Sequence, residues 1–225
     1  MNILDNRIIA ILRDVDAENI VDVINALVGG GIISIEIPLN HSTPAAKAAS
    51  LRTIQKSHET FGDQIFLGAG TILSPEEAEA AANAGAKYII SPNMDPEVIK
   101  KTKSLGLASM PGAMTPSEIV DAYKNGADIV KIFPAGNLGT DYIKAIKGPL
   151  NFIPLAAVGG VNLENAGKLL MSGYQMIAVG GNLADKKAIQ AGDYRKISSL
   201  ARAYKEIVDT AVSVSYTHLT LPTNR

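Results

Sequence analysis

Short apolar runs rich in β-branched residues alternate along this chain with longer segments that carry helix signals. We predict eight strands, near Ile8–Leu12, Ile32–Ile37, Ile65–Gly68, Tyr88–Ser91, Leu107–Met110, Ile129–Phe133, Ile153–Val158 and Met176–Val179. Helix starts are predicted between them, for example at Ser74-Pro75-Glu76 and Asp95-Pro96-Glu97, where a capping residue precedes a proline and an acid. Strand and helix that alternate eight times predict βαβ units and a parallel sheet.

The regular alternation favours an α/β fold, a single (β/α)8 TIM barrel, over residues 1–213. No long linker or charge block divides the chain of 225 residues. A doubly wound open sheet is the alternative, but the first turn lacks the G-x-G-x-x-G sequence of its dinucleotide-binding form. Residues 214–225 have neither helical period nor a place in a ninth unit, so we expect a disordered or foreign extension there.

Composition narrows the classes of function. The 21 basic and 22 acidic residues leave a net charge of −1, which gives no electrostatic footprint for nucleic acid. The longest apolar runs fall short of the roughly 18 residues of a membrane span. There are no cysteines, and the three histidines are scattered, so no metal site built by the protein is expected. The first residues lack the features of a secretory signal, and we expect a cytoplasmic protein.

Lys131 stands in the middle of the apolar strand predicted over Ile129–Phe133. Strand side chains alternate between faces, so Lys131 shares a face with Ile129 and Phe133. Burial of an ammonium group is costly; it lowers the pKa and makes the amine available as a nucleophile. The strand alone favours the alternative, a lysine that reaches solvent or pairs with a carboxylate.

Glu36 is equally out of place in the strand predicted over Ile32–Ile37. The isoleucines at 33, 35 and 37 share one face, and Glu36 lies on the other with Ser34. If the isoleucine face packs under the helices, Glu36 points into the barrel. A buried carboxylate and a buried amine form either a structural ion pair or an acid–base couple, and their joint occurrence favours the couple.

The carboxyl ends of the strands are the positions where this fold places its chemistry. They carry Arg13, Thr71, Pro92 and two glycine pairs, Gly159-Gly160 and Gly180-Gly181. Each pair follows a strand and precedes a predicted helix start, where free N–H groups suit phosphate, although a tight turn is the alternative. Arg13 suits a carboxylate, with a surface arginine as the alternative. Gly68-Ala69-Gly70-Thr71 indicates either a simple turn or a threonine hydroxyl that binds the carboxylate of the substrate.

At these residues the chain resembles the KDPG/KHG aldolase family over roughly residues 7 to 210. The resemblance rests on the combination and order of Ile9-Ala10-Ile11-Leu12-Arg13, Ile35-Glu36-Ile37-Pro38-Leu39-Asn40, Gly68-Ala69-Gly70-Thr71, Ser91-Pro92-Asn93, Lys131-Ile132-Phe133-Pro134 and Val158-Gly159-Gly160. It implies a (β/α)8 barrel, commonly a homotrimer, with class I chemistry that uses no metal or cofactor. It also implies cleavage of 2-keto-3-deoxy-6-phosphogluconate, or its C4 epimer, to pyruvate and glyceraldehyde 3-phosphate.

The resemblance also implies the role of each site residue. Lys131 would form the Schiff base, and Glu36 would shuttle protons. Arg13 and Thr71 would bind the pyruvate portion. The remaining substrate-binding residues would be Pro92, Phe133, Gly159, Gly160, Gly180, Gly181 and Asn182.

Two departures bear on the substrate. The gluconate-type branch carries Thr-Leu-Arg where this chain has Pro38-Leu39-Asn40, whereas the galactonate-type branch has Pro-Leu-Asn with an arginine that Arg13 matches. Val158 and Asn182 stand where hydroxyl residues are frequent, so phosphate binding would depend on backbone amides. Three alternatives stay open: 4-hydroxy-2-oxoglutarate cleavage as the main activity, another phosphate-binding isomerase or synthase, and a non-catalytic barrel that binds a phosphorylated metabolite.

Overall fold

The structure, a computed structural model, describes residues 3–220, and their side chains as far as residue 213. Its strands are β1 (Ile8–Ile11), β2 (Ser34–Pro38), β3 (Phe66–Gly70), β4 (Tyr88–Ile90), β5 (Ala108–Met110), β6 (Gly112–Ala113), β7 (Val130–Ile132), β8 (Leu155–Val158) and β9 (Met176–Val179). Its α-helices are α1 (Ile20–Gly29), α2 (Pro44–Phe61), α3 (Pro75–Asn83), α4 (Pro96–Ser104), α5 (Pro116–Lys124), α6 (Ala135–Lys147), α7 (Ala166–Met171), α8 (Lys186–Gln190) and α9 (Tyr194–Thr220). A 3₁₀ turn, Gly62–Gln64, follows α2.

The strands form one parallel sheet in the order β5-β4-β3-β2-β1-β9-β8-β7-β6. The two ends of this order, β5 and β6, are separated in sequence by Pro111 alone, so they are successive pieces of one strand and the sheet closes on itself. The predicted (β/α)8 barrel is therefore confirmed. The fifth strand was predicted to end at Met110, and the structure adds the piece β6 beyond Pro111. Proline has no N–H to donate to the ladder, which explains the interruption between β5 and β6.

The residues pack in two apolar layers. The larger cluster lies between the strands and the helices and includes Ile35 and Ile37 of β2. The smaller cluster fills the barrel interior and includes Tyr88 of β4 and Met176 of β9. This division follows the strand alternation, because neighbouring residues of one strand belong to different layers.

Local sequence explains four of the helix starts. Thr43, Ser74, Asp95 and Thr115 each cap a helix through the side chain, with a proline in the first turn. Gly30 and Gly31 follow the end of α1, and Gly31 has a positive φ of 90°. No helix among residues 3–220 is long and apolar enough to cross a membrane.

Within residues 214–225, where a disordered or foreign extension is expected, α9 continues as helix to Thr220. Residues 221–225 lie outside the described residues. Neither glycine nor proline occurs between Tyr194 and Thr220, and an established helix extends at little cost per residue. The next proline along the chain is Pro222.

Candidate active site

The side chains of Lys131 and Glu36 both lie inside the barrel. Glu36 is 2% exposed and Lys131 is 7% exposed. Ile129, on the same face as Lys131, belongs to the interior cluster, whereas Ile35 belongs to the layer under the helices. The structure therefore shows both side chains pointing into the barrel, as predicted.

Burial changes the protonation equilibria of both groups. Burial raises the pKa of Glu36 above 4.5, although the positive charges of Lys131 and Arg13 oppose this change. Burial lowers the pKa of Lys131 below 10.5; the Glu36 charge opposes the shift and the Arg13 charge adds to it. Both shifts bring the groups closer to neutrality, the range in which an amine nucleophile and a proton shuttle operate.

Phe133 borders Lys131 at the mouth of the barrel. Its ring centroid lies 4.9 Å from Nζ of Lys131, within the range of a cation–π contact. The ring itself is 43% exposed. Phe133 therefore screens one side of the amine from water while the other side stays open to the cleft.

All of the sequence-predicted site residues line one cleft of about 500 Å³. They are Arg13, Glu36, Thr71, Pro92, Lys131, Phe133, Gly159, Gly160, Gly180, Gly181 and Asn182. A larger cavity of about 720 Å³ lies elsewhere, around Asp63, Lys87, Lys103 and Asp128. Its lysines are paired with its carboxylates, Lys103 to Asp128 and Lys87 to Asp63, and we place the chemistry in the cleft that holds the buried amine.

Gly68-Ala69-Gly70 does not form a turn, because all three residues belong to β3. Gly68 and Gly70 share one face of this strand, and the space left by their missing side chains is filled by Tyr88 and Glu36. Thr71 directly follows the strand with a φ of 56°, in the left-handed region that a threonine rarely adopts. The backbone therefore changes direction at Thr71, where β3 ends beside the cleft.

The two glycine pairs lie in turns that precede helices, as predicted, although neither helix begins directly after its pair. Helix α7 begins only at Ala166, and residues 180–184 form a single turn before α8. Gly159 and Gly160 have φ values of 85° and 72°, which only glycine adopts without strain. The side-chain amide of Asn182 donates to the carbonyl oxygen of Val161 at 2.7 Å and so ties the two turns together.

Sequence reasoning missed Lys186, which also lines the cleft. Its Nζ lies 2.9 Å from Oδ2 of Asp14, and Asn40 donates from Nδ2 to Oδ1 of the same carboxylate at 3.1 Å. Asp14 has a φ of 56° and directly follows Arg13, which is exposed at the cleft. These contacts connect the segments after β1, β2 and β9. No sequence signal predicted them, because Lys186 stands at a helix start and not at a strand end.

The described residues contain no group of three or more histidine, cysteine, aspartate or glutamate side chains that could hold a metal ion.

Comparison with protein families gives a match over residues 2–200 to the model described as KDPG and KHG aldolase. Among curated proteins, the chain is 33% identical over 202 residues to 2-dehydro-3-deoxy-6-phosphogalactonate aldolase of Escherichia coli K12, which covers 89% of this chain and 96% of that protein. The match extends over nearly the whole barrel.

Solved structures with the same fold include one described as native KDPGal. It has a TM-score of 0.81 and 31% identity, covering 92% of this chain and 96% of that chain. KDPG aldolase from Legionella pneumophila has a TM-score of 0.80 and 26% identity, covering 88% of this chain and 94% of that chain. That structure contains pyruvate captured at low pH as a covalent carbinolamine intermediate.

Proposed function

We propose that this chain, which belongs to the KDPG and KHG aldolase family, cleaves 2-keto-3-deoxy-6-phosphogluconate or its C4 epimer, 2-keto-3-deoxy-6-phosphogalactonate, to pyruvate and glyceraldehyde 3-phosphate. The observation that carries the proposal is the buried Lys131 amine with its lowered pKa, which shares the barrel interior with Glu36. The covalent pyruvate carbinolamine of the Legionella relative supports the same class of chemistry.

The reaction begins at the Nζ atom of Lys131, which attacks the C2 carbonyl carbon of the substrate. The carbinolamine that results loses water to give an iminium ion, which withdraws electrons from C3. The C4 hydroxyl then loses its proton and the C3–C4 bond breaks. The electron pair of the broken C3–C4 bond forms an enamine, and glyceraldehyde 3-phosphate leaves. Protonation at C3 and hydrolysis of the imine release pyruvate and the free amine.

Glu36 is the group we assign to these proton transfers. Its raised pKa allows it to take up and return a proton near neutral pH. It would accept the C4 hydroxyl proton and later deliver a proton to C3 of the enamine.

The remaining lining residues are assigned to binding. Arg13 and Thr71 would hold the pyruvate carboxylate, and Pro92 and Phe133 would form the walls beside the reacting carbons. The turns at Gly159-Gly160 and Gly180-Gly181, tied together by Asn182, would hold the phosphate through backbone N–H groups. We further propose that residues 1–213 form the catalytic domain of a cytoplasmic protein, and that the protein works as a homotrimer, as the family resemblance implies.

Reduction with borohydride in the presence of pyruvate tests the mechanism. We expect one stable three-carbon adduct at Lys131, located by peptide mass spectrometry. Lys147 provides the matched control, because burial also lowers its pKa but its Nζ donates to the carbonyl of Ile153 at 2.7 Å, outside the cleft. Lys147→Met should trap pyruvate like the parent, and Lys131→Met should not. Labelling spread over surface lysines contradicts the proposal.

Coupled assays identify the substrate. Both C4 epimers and 4-hydroxy-2-oxoglutarate are compared by kcat/KM, with lactate dehydrogenase reporting the pyruvate formed. We expect one of the phosphorylated epimers to be the best substrate. Binding of these compounds without release of pyruvate would instead indicate a non-catalytic barrel.

A further inference from the structure

Glu36, Gly68 and Tyr88 lie in one row across three neighbouring strands. Glu36 of β2 is the register partner of Gly68 in β3, and Gly68 is in turn the partner of Tyr88 in β4. Register partners in a sheet point to the same face, and Tyr88 belongs to the interior cluster. Because Gly68 has no side chain, nothing on β3 separates Tyr88 from Glu36 in this row.

The Tyr88 ring occupies the space above Gly68. A Cβ built at Gly68 would lie 2.1 Å from Cε2 and 2.3 Å from Cζ of Tyr88. These atoms belong to the outer half of the ring, which carries the hydroxyl group. The outer half of the ring therefore lies over β3, the strand between β4 and the strand β2 that carries Glu36. The charge of Glu36 acts on the pKa of the Tyr88 hydroxyl group.

Both polar ends of this row are buried without a hydrogen-bond partner among the described residues. They are the hydroxyl oxygen of Tyr88 and Oε2 of Glu36. Tyr88 is fully buried and Glu36 is 2% exposed. An unpaired polar group in such a position destabilises the folded state, so two of them in one row indicate a function for the pair.

We propose that Tyr88 is a positioning residue for Glu36, and that its hydroxyl holds the inner carboxylate oxygen by a hydrogen bond, direct or bridged by one water, whenever Glu36 is charged. This inference rests on the proposed function, since it concerns the proton shuttle of that reaction. Tyr88 does not touch the substrate. It fixes where the charged carboxylate rests before it accepts the proton of the C4 hydroxyl and after it has delivered a proton to C3.

Although burial raises the pKa of Glu36, the two cations near it both lower that pKa. Lys131 of β7 and Arg13 after β1 favour the ionised carboxylate, and burial disfavours it. The pKa of Tyr88 is raised well above 10 by burial and by the Glu36 charge, so its hydroxyl keeps the proton that it donates. A hydrogen bond to the charged form lowers the pKa of a carboxyl group. Loss of the hydroxyl should therefore raise the pKa of Glu36.

Tyr88→Phe removes this hydroxyl and keeps the ring. The acid limb of the kcat–pH profile should move upward by about one pH unit, as expected for the loss of a hydrogen bond to a charged group. Below that limb kcat should fall about tenfold, while pyruvate trapping at Lys131 continues. In a Glu36→Gln background, Tyr88→Phe should have no further effect on kcat, because the group through which it acts is gone.

Tyr174→Phe is the matched control. The Tyr174 hydroxyl is also buried without a partner, but Tyr174 packs in the outer layer and not in the barrel interior. Its replacement should leave the pH profile unchanged. A Tyr88→Phe profile identical to that of the parent would overturn the proposal and leave Tyr88 a packing residue.

A second measurement does not depend on turnover. Carbon-13 NMR of glutamate-labelled protein follows the Glu36 carboxyl signal, which is assigned by its loss in Glu36→Gln. The midpoint of its titration should lie higher in Tyr88→Phe than in the parent and in Tyr174→Phe. An unchanged midpoint overturns the proposal even if no aldolase activity is found, whereas absent pyruvate trapping by the parent contradicts the proposed function alone.

Discussion

Gly70 leaves the space that the Glu36 carboxylate occupies: a Cβ built at position 70 would lie 1.8 Å from Oε1 of Glu36 and 2.6 Å from its Cδ. The two residues stand on neighbouring strands, and Gly70 belongs to β3, with no positive φ. The glycine is therefore required for space and not for its backbone conformation. Gly68, two residues earlier, leaves the corresponding space for the ring of Tyr88.

Gly70→Ala and Gly68→Ala should have different consequences. At position 70 the obstacle is the end of a flexible side chain, so we expect Glu36 to turn away, kcat to fall at least tenfold and stability to change little. At position 68 the obstacle is a rigid, buried ring, and overpacking of this kind costs about 1–3 kcal/mol in unfolding free energy. Urea unfolding and steady-state kinetics of both variants separate the two effects. Equal loss of stability in both would contradict this assignment of space.

Glu36→Gln tests the proton shuttle directly. The amide keeps the shape of the carboxyl group but does not transfer protons, so kcat should fall by about 10²–10⁴. Trapping of pyruvate at Lys131 should slow without disappearing, because the amine itself is intact. Turnover at the parental rate would mean that Glu36 only pairs with Lys131 and that another group transfers the proton.

Strand alternation was sufficient to predict the orientation of the two central groups. The isoleucines on either side of Glu36 and the apolar residues around Lys131 fixed the inward face of each strand, and the structure follows that pattern. Strand alternation did not predict the roles of Gly68 and Gly70. They depend on which strand lies beside β3 and on how far Tyr88 and Glu36 reach across it, and such contacts join distant parts of the sequence.

The same reason explains the other omissions. Lys186 reaches the cleft because the turn after β9 places it against Asp14, which lies far away in sequence. The division of the fifth strand follows from Pro111, whose effect on the ladder appears only when the neighbours on both sides are known. The helix over residues 214–220 extends an earlier helix, and its own sequence carried no sufficient signal.

Lys131→Met should make stability more dependent on pH. The pKa of Glu36 in the folded protein is raised above 4.5, so the folded state holds a proton that the unfolded state loses as pH rises. The free energy of unfolding therefore falls with rising pH from about 4.5 up to the folded pKa, by about 1.4 kcal/mol for each pH unit between these two values. The Lys131 charge opposes this rise in the pKa of Glu36, and its removal should widen the window. Urea unfolding between pH 4.5 and 8 measures the change.

Glu36→Gln/Lys131→Met is the control for that experiment. Without either ionisable group, the decline of stability with pH assigned to Glu36 should disappear. The double variant should keep most of the parental stability, because both buried ionisable groups are removed together and neither is left as a lone buried charge. An equally steep decline in the double variant would assign the pH dependence to other groups.

Lys186→Met tests whether the cation beside the glycine turns contributes to phosphate binding. The Lys186 side chain is 60% exposed, so solvent weakens its effect, and we expect KM for the phosphorylated substrate to rise about two- to fivefold. The rise should shrink at high salt. Pyruvate trapping should not change, because pyruvate has no phosphate. Lys187 is an exposed neighbour that does not line the cleft, so Lys187→Met should have the KM of the parent. A parental KM in Lys186→Met would mean that Lys186 takes no part in phosphate binding.

Arg13→Met should affect both binding and protonation. A guanidinium group holds a carboxylate by two parallel hydrogen bonds, and its loss should weaken productive binding of pyruvate and of the sugar acid by about 1.5–3 kcal/mol, toward the lower value because Arg13 is exposed. Arg13→Lys should restore only part of this, because a point charge does not reproduce the fork. Arg52→Met, on α2 and outside the cleft, is the control.

The charge of Arg13 gives a second, independent expectation for the same variant. That charge lowers the pKa of Glu36 and of Lys131 alike, so its removal should raise both values. The ascending limb of the kcat/KM–pH profile, which requires an ionised Glu36 and a neutral Lys131 amine, should then move to higher pH. Loss of carboxylate binding alone would lower kcat/KM without displacing this limb. Parental pyruvate affinity together with an unmoved limb would exclude Arg13 from the site and leave the carboxylate to Thr71 and backbone amides.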